Sequence, residues 1–441
     1  MRIAVFLLLV ATSTFAATLH VPDDYADILS GLENASPDDT VLVAPGTYTG
    51  ENNRNLLVSE GRHLIGAAGS TTTILDLEED DGFAIEIEDA LVKGFTIRNG
   101  TGDAIRIDSN DPTTVEDILI SNMDSTNWEP WHYLIRAESS SSLEFRNVRV
   151  TDSNADTIGL ILANSAHLDD CSFINAEGQA HCLVFLSQQI VIEDTEFISC
   201  TNGALYLEGH STITNCSFLD NESWLFHAGG YFGNDGGAII VFGGEATISD
   251  SRFVGNIADD FDSYGGAVSA QGAEVTCERC VFGGNVARWG GAFCARDSYC
   301  QILSCTFFEN ACLEGCDPVN RGTIYSLESS FTMVFQCILS FSQNSAGVAA
   351  WSEGSALVGW CVAYENDGGT FGGHTEDITG SALLENPLFC MDDNPEPFTV
   401  SSNSPCLPEN NQWGRLVGVF GAGCTFTATD GLTWSRLKTL Y

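Results

Sequence analysis

The sequence predicts an all-β chain wound as a single-stranded right-handed parallel β-helix, with an N-terminal capping helix and a disulfide-containing C-terminal cap. Three observations predict it. Short apolar runs closed by Asn recur along the chain, among them GFTIRNG at 94–100, NCSFLDN at 215–221, DSRFVGN at 250–256, RCVFGGN at 279–285 and SCTFFEN at 304–310. A second short run led by glycine lies upstream of them: GALYL at 203–207, GGAIIV at 236–241, GGAVSA at 265–270, GGAFCA at 290–295 and GTIYSL at 322–327. Helical periodicity is nearly absent after residue 36, and self-similarity at a loosely fixed period marks stacked repeats rather than separate domains.

The repeats align on one apolar residue: Ile97, Ile120, Val150, Phe173, Phe197, Phe218, Phe253, Phe282, Phe307, Leu339 and Ala363. A minimum spacing of about 21 residues with irregular excess describes a fixed coil that carries loops of variable length. The Cys-x-Phe pairs have period two, so both side chains face one side of a strand. Strands this short cannot bury themselves alone, and stacking them builds a continuous core. Cys171, Cys216, Cys280, Cys305, Cys337 and Cys361 are then small buried apolar residues. Asn221, Asn256, Asn285, Asn310 and Asn366 can hydrogen-bond along the stack as a ladder. The leading glycines suit corners that need positive φ.

In chain order, Met1-Arg2, an apolar run to Ala11 and a small-residue exit describe a secretory signal segment, 1–16, cut after Ala16. Residues 17–50 form the N-terminal cap and first coil. Within them, 22–35 place Tyr25, Ile28, Leu29 and Leu32 on one helical face, with acids in the first turn. Residues 51–385 carry the repeats, and 386–424 break them with Pro and Cys as the C-terminal cap. The tail 425–441 sets Trp434, Leu437 and Tyr441 at near-helical spacing, beside Arg436 and Lys438, and reads as an export or anchoring signal. All 16 cysteines follow residue 170, and an exported chain permits disulfides. Cys312 with Cys316, and Cys390 with Cys406 or Cys424, are the loop pairs that the spacing allows.

Composition bounds the function. Sixty acidic against 17 basic residues give a net charge of −43, which repels nucleic acid and anionic lipid. A hydrophobic share of 44% is that of a folded protein. No stretch is apolar for long enough to span a membrane as a helix, and a monomer is expected. The excess residues enter each coil after the Asn and before the glycine-led strand, so they emerge along one edge. Loop 122–133 holds Trp128, Trp131 and Tyr133; loop 222–235 holds Trp224 and Tyr231; loop 257–264 ends at Tyr264, with Trp289 in the next coil. Rings beside acids suit stacking on sugars; the same rings can instead fold inward and pack the loops onto the flank. Asp259, Asp260 and Asp262 are hard oxygen donors that could hold Ca²⁺, or simply an acidic solvated surface.

These residues resemble exported bacterial proteins of the pectin-lyase-like superfamily, over roughly 20–424. VPDDYADILSGLENASPDDTVLVAPGTY is similar to their opening and VKGFTIRNG to their repeat. The paired GGAI, GGAV, GGAF and FLDN, FVGN, FGGN, FFEN segments resemble chlamydial polymorphic outer-membrane proteins. The resemblance implies secretion or display at the cell surface, adhesion, and a polysaccharide or surface glycan as partner. The membrane barrel of those adhesins is not expected in the 17 residues after 424. The superfamily also contains polysaccharide lyases and hydrolases, whose Arg-x-Pro-x-x-Arg, Gly-His-Gly and Arg-Ile-Lys segments do not occur here. The sequence therefore favours a non-catalytic glycan-binding protein over a lyase or hydrolase with an unusual, Ca²⁺-assisted carboxylate site.

Overall fold

A computed structural model gives the structure of residues 16–126, 133–178, 181–223, 236–259, 262–313, 317–378, 380, 382–390 and 398–424, and the description below concerns these residues. The expected signal segment before residue 16 and the tail 425–441 lie outside them.

The chain is a right-handed parallel β-helix. Thirty-five strands join one continuous sheet that wraps around a single column of buried side chains running from Val21 to Ala363. The coil that holds Phe282 shows the unit. Val268–Gln271 lies in a first sheet, Glu274–Glu278 in a second and Val281–Gly283 in a third; the two-residue strand Val286–Ala287 joins a separate four-stranded ladder. Period-two alternation sets inside from outside: Val275 and Cys277 point inward at 0% exposure while Glu274, Thr276 and Glu278 face out. Pairing is parallel and in register throughout the third sheet, where the aligned residues from Ile97 to Ala363 are direct partners. The second sheet is the strand that the sequence pattern did not separate from its neighbours.

Three ladders run along the axis. Six phenylalanines from Phe173 to Phe307 stack face to face with centroids 4.6–5.1 Å apart, matching the strand spacing. Beside them the Asn ladder forms as expected: the Asn221, Asn256 and Asn285 side-chain amides each donate to the next Asn Oδ1 at 2.9 Å, and each also donates to a backbone carbonyl. Asn366 Oδ1 accepts from the Ser342 backbone amide at 3.0 Å, and the Asn366 amide donates to the Leu339 carbonyl. The cysteine position is a mixed ladder in which Thr195 and Ser251 take turns with Cys171, Cys216 and Cys280. The Cys280 and Cys305 amides donate to the next sulfur at 3.4 Å. These thiols are free and fully buried.

Corners are made by left-handed residues. Gly265 has φ +67, and a Cβ there would sit 2.1 Å from the Val268 carbonyl oxygen, so only glycine fits. Between the second and third sheets the same conformation falls mostly to Asp and Asn, such as Asp194, Asn215 and Asp250, which tolerate it better than other side chains.

At the N-terminus the helix is shorter than the pattern suggests, Ile28–Asn34. Asp27 is its N-cap, accepting from the Ser30 amide at 2.9 Å, so the acids precede the first turn rather than occupy it. Ile28, Gly31 and Leu32 are buried against the first coil. Asp39 ties the entry down by accepting from the Ala17 and Ser36 amides at 2.6 and 2.7 Å. At the C-terminus, Cys390 pairs with Cys424, and Cys406 is a buried thiol; Cys316 lies outside the described residues. The C-terminal segment folds back along the flank. Phe389, Phe398, Val400, Leu407 and Val417 cover the outward side chains Val281, Phe308, Ile338 and Val362 of four successive coils. The Gly418 amide donates to the Gln336 carbonyl at 2.7 Å.

Candidate functional site

The long insertions leave the helix at one corner, between the two-residue ladder and the first sheet. Their described flanks, Ser223 and Gly236, Asp259 and Asp262, Leu313 and Asp317, repeat this placement coil after coil. These flanks therefore border one long face, the outer face of the first sheet. Its central column includes Arg106, Arg136, Tyr206 and Tyr325 in register. Arg106 and Arg136 are neutralised locally by Asp103 and Glu138, at 2.5 and 2.6 Å. Val184, Tyr206 and Ile240 point away from the core yet are buried, at 1–2% exposure.

The expected ring residues are only partly brought together. Tyr264 and Trp289 are bridge partners on adjacent rungs, with centroids 6.1 Å apart and 15° between planes. Tyr133 stands half-buried at the start of Tyr133–Ala155, five rungs away or about 24 Å along the axis; burial raises its phenol pKa. Trp128, Trp131, Trp224, Tyr231 and Asp260 lie outside the described residues. Asp259 is exposed. Asp262 Oδ1 accepts from Tyr264 Oη at 3.0 Å and from Trp289 Nε1 at 3.2 Å, so this carboxylate is committed to the ring row. Among the described residues no group of three or more His, Cys, Asp or Glu could hold a metal ion.

Four residues that the sequence reading did not single out complete the cluster. Tyr325 packs on Trp289 with centroids at 5.7 Å. The Arg321 guanidinium lies 3.3 Å from the Trp289 ring centroid, and that of Arg296 4.7 Å from Tyr264, close enough for cation–π attraction. Trp351 borders the same cluster. The available signal for Tyr325 was its place in GTIYSL, where the alternation turns it outward, aligned with Ser269 and Cys294. Rings stacked along the axis present their edges, not their faces, to a ligand. Burial pushes the Tyr325 phenol up to about 12; burial and the bond to Asp262 raise Tyr264 as well. Both hydroxyls keep their protons at neutral pH. Among the described residues two buried donors, Arg321 Nε and Trp351 Nε1, have no hydrogen-bond acceptor, a state that calls for a partner.

Fold and site together define a parallel β-helix with one bordered, ring-bearing face. A family model described as the right handed beta helix region matches residues 82–282. Among solved structures, the chain is similar to the catalytic domain of a GH87 α-1,3-glucanase in complex with tetrasaccharides (11% identity, 83% of this chain and 70% of that one, TM-score 0.43). It is also similar to the A-module of the mannuronan C-5 epimerase AlgE4 of Azotobacter vinelandii (14% identity, 79% and 93%, TM-score 0.38). A third is the PL6 family alginate lyase AlyGC (9% identity, 82% and 78%, TM-score 0.29). At these identities the likeness is one of fold and assigns no chemistry to particular residues. No curated protein matches the sequence. Among the described residues no helix is long and apolar enough to cross a membrane, which says nothing of strands.

Proposed function

We propose that the protein binds an extended polysaccharide along the edge of the first sheet from which the insertions leave, at the cell surface or outside the cell, without needing to cleave it. One observation carries this reading: the described flanks of the long insertions meet the same edge, and beside them Tyr264, Trp289, Tyr325, Arg296 and Arg321 form one cluster. An elongated, one-sided face suits a polymer better than a small molecule. With ring edges outward, recognition rests on hydrogen bonds from the partly exposed Arg296 and Arg321 guanidinium groups to sugar oxygens, with the Tyr264 and Trp289 ring edges supplying apolar contact. Arginines in a chain of charge −43 also give acidic sugars a local counter-charge.

The alternative reading, cleavage of the bound polymer, draws on one group of residues on the same face. Tyr206 Oη donates to Glu208 Oε1 at 2.8 Å, with the His181 ring 5.6 Å from the Tyr206 ring. Burial and the neighbouring carboxylate raise the Tyr206 pKa, which keeps the phenol protonated and its hydrogen bond to Glu208 in place.

One panel of neutral and acidic polysaccharides separates the two. Affinity electrophoresis should show retardation by at least one polymer, weakened about tenfold or more in W289A and R321A, with the far-UV circular dichroism unchanged. Retardation by none of them overturns the binding reading. Release of reducing ends or unsaturated products, lost in Y206F, would establish cleavage instead.

A further inference from the structure

The outer face of the second sheet changes character at one rung. From Lys93 to Glu278 every rung sets at least one ionisable side chain outward. The next three rungs, Tyr299–Leu303, Phe331–Phe335 and Ser355–Gly359, set out no Asp, Glu, Lys, Arg or His. Tyr299, Leu303, Phe331, Met333, Phe335 and Leu357 stand there around the single amide of Gln301; Tyr299 is 39% exposed and the others are half-buried. Tyr299 and Phe331 stack at 5.9 Å, so they too show their edges.

Acids rim this patch on three sides. Glu274 and Glu278 precede it, Glu376 follows it, and Asp297, Glu328 and Glu353 line the turns along one margin, all but Glu278 exposed. Burial and the adjacent Asp297 raise the Glu328 pKa although Arg296 lies 3.9 Å away, a mark of crowded carboxylates. On the fourth side Arg279 is already engaged by Asp250 and Glu278, and Arg415 lies 4.6 Å from the Trp360 ring centroid.

The occupant follows from size and charge. Three rungs by one strand cover roughly 200 Å², well below the ~800 Å² per partner of a stable dimer. A second copy would also set acidic rim against acidic rim. An anionic membrane meets the same repulsion, and these rungs set out no guanidinium or ammonium donor for a sugar. We propose that this face docks a short polypeptide segment whose apolar side chains are flanked by lysine or arginine. The apolar patch supplies burial, and the acidic rim supplies orientation and a fast encounter. This surface lies on a different sheet from the glycan face and does not depend on that reading.

The test uses the full chain with two synthetic decapeptides of equal charge, one alternating Leu and Lys, the other Ser and Lys. At physiological salt the Leu–Lys peptide should bind at least about tenfold more tightly. That preference should vanish in the double variant M333Q/L357Q, which replaces two half-exposed side chains. In a second readout on the unmodified chain, the Leu–Lys peptide should slow peroxide oxidation of Met333 and the Ser–Lys peptide should not. Equal binding of the two peptides, a preference that survives in the double variant, or unprotected Met333 each overturns the proposal. So does a concentration-dependent dimer that the double variant abolishes, since a second copy would then be the occupant.

Discussion

At the scale of single residues, the stacked positions were legible because one chemical type repeats at them. Phe on Phe, Asn on Asn and Cys near Cys leave the same letters at the same place in each coil, and the structure pairs them as aligned. The αL corner between the second and third sheets was harder to read. Asp, Asn, Arg279, Ser304, Gln336 and Trp360 all fill it, because the backbone conformation there is imposed by the coil. Arg321 and Tyr325 escaped notice for a related reason: each occurs once, and only pairing with Trp289 gives them meaning. The thiols follow from the same packing. Burial pushes Cys171, Cys216 and Cys406 up to about 12, so almost no thiolate exists at neutral pH to react. The native protein should therefore resist a thiol-specific reagent, whereas in denaturant at least eleven thiols should titrate. Four or fewer would mean that the core cysteines are paired.

At the scale of elements, strands with an inward consensus were found and the second sheet was not. Its outward residues range from Glu274 and Glu278 to Phe331 and Phe335, and two inward residues per strand are too few to announce it. The insertions were legible as loops at one corner, yet what their rings do was not, since ring orientation is set across coils. The C-terminal segment was legible as a closure but not as a strap along the flank, because its partners Val281, Phe308, Ile338 and Val362 are outward residues of distant coils. Closing residues 390–424 by a disulfide should contribute about 4 kcal/mol in the chain-entropy account. The variant C390S should keep its β-sheet circular dichroism but unfold at lower denaturant. It should also lose amide protection first at Val417 and Gly418, whose amides donate to Cys406 and Gln336. Unchanged protection there would show that apolar packing alone holds the strap.

At the scale of the whole molecule, charge and fold pull in opposite directions. A net −43 loads the surface with repulsion, while particular carboxylates hold the structure together. Asp27 is lowered by its bonds from Ser30, and Asp39 by those from the Ala17 and Ser36 amides. In Asp76, burial opposes ionisation, but the bonds from Asn99 and Arg98 outweigh it. Asp250 is lowered chiefly by Arg279. A pKa lowered on folding stabilises the native state above the ordinary carboxylate value and loses that contribution as pH falls through the folded value. Stability should thus rise from pH 7 toward about pH 5 as surface repulsion is relieved, then fall below about pH 4. Thermal unfolding across that range checks it, and a midpoint that climbs steadily to pH 3 would contradict the role given to these acids.

The strap and its disulfide also fix where tension would travel. A pull on the chain beyond Cys424 passes through the sulfur bridge to Cys390, at the exit of the last coil, and bypasses the residues between them. The strap on Val281, Phe308 and Ile338 then bears no load. Once the bridge is reduced, the same pull runs through Phe420, Val417 and Leu407, and those side chains must shear along several coils before the stack is reached. Oxidation state thus selects between peeling the last coil and dragging the flank.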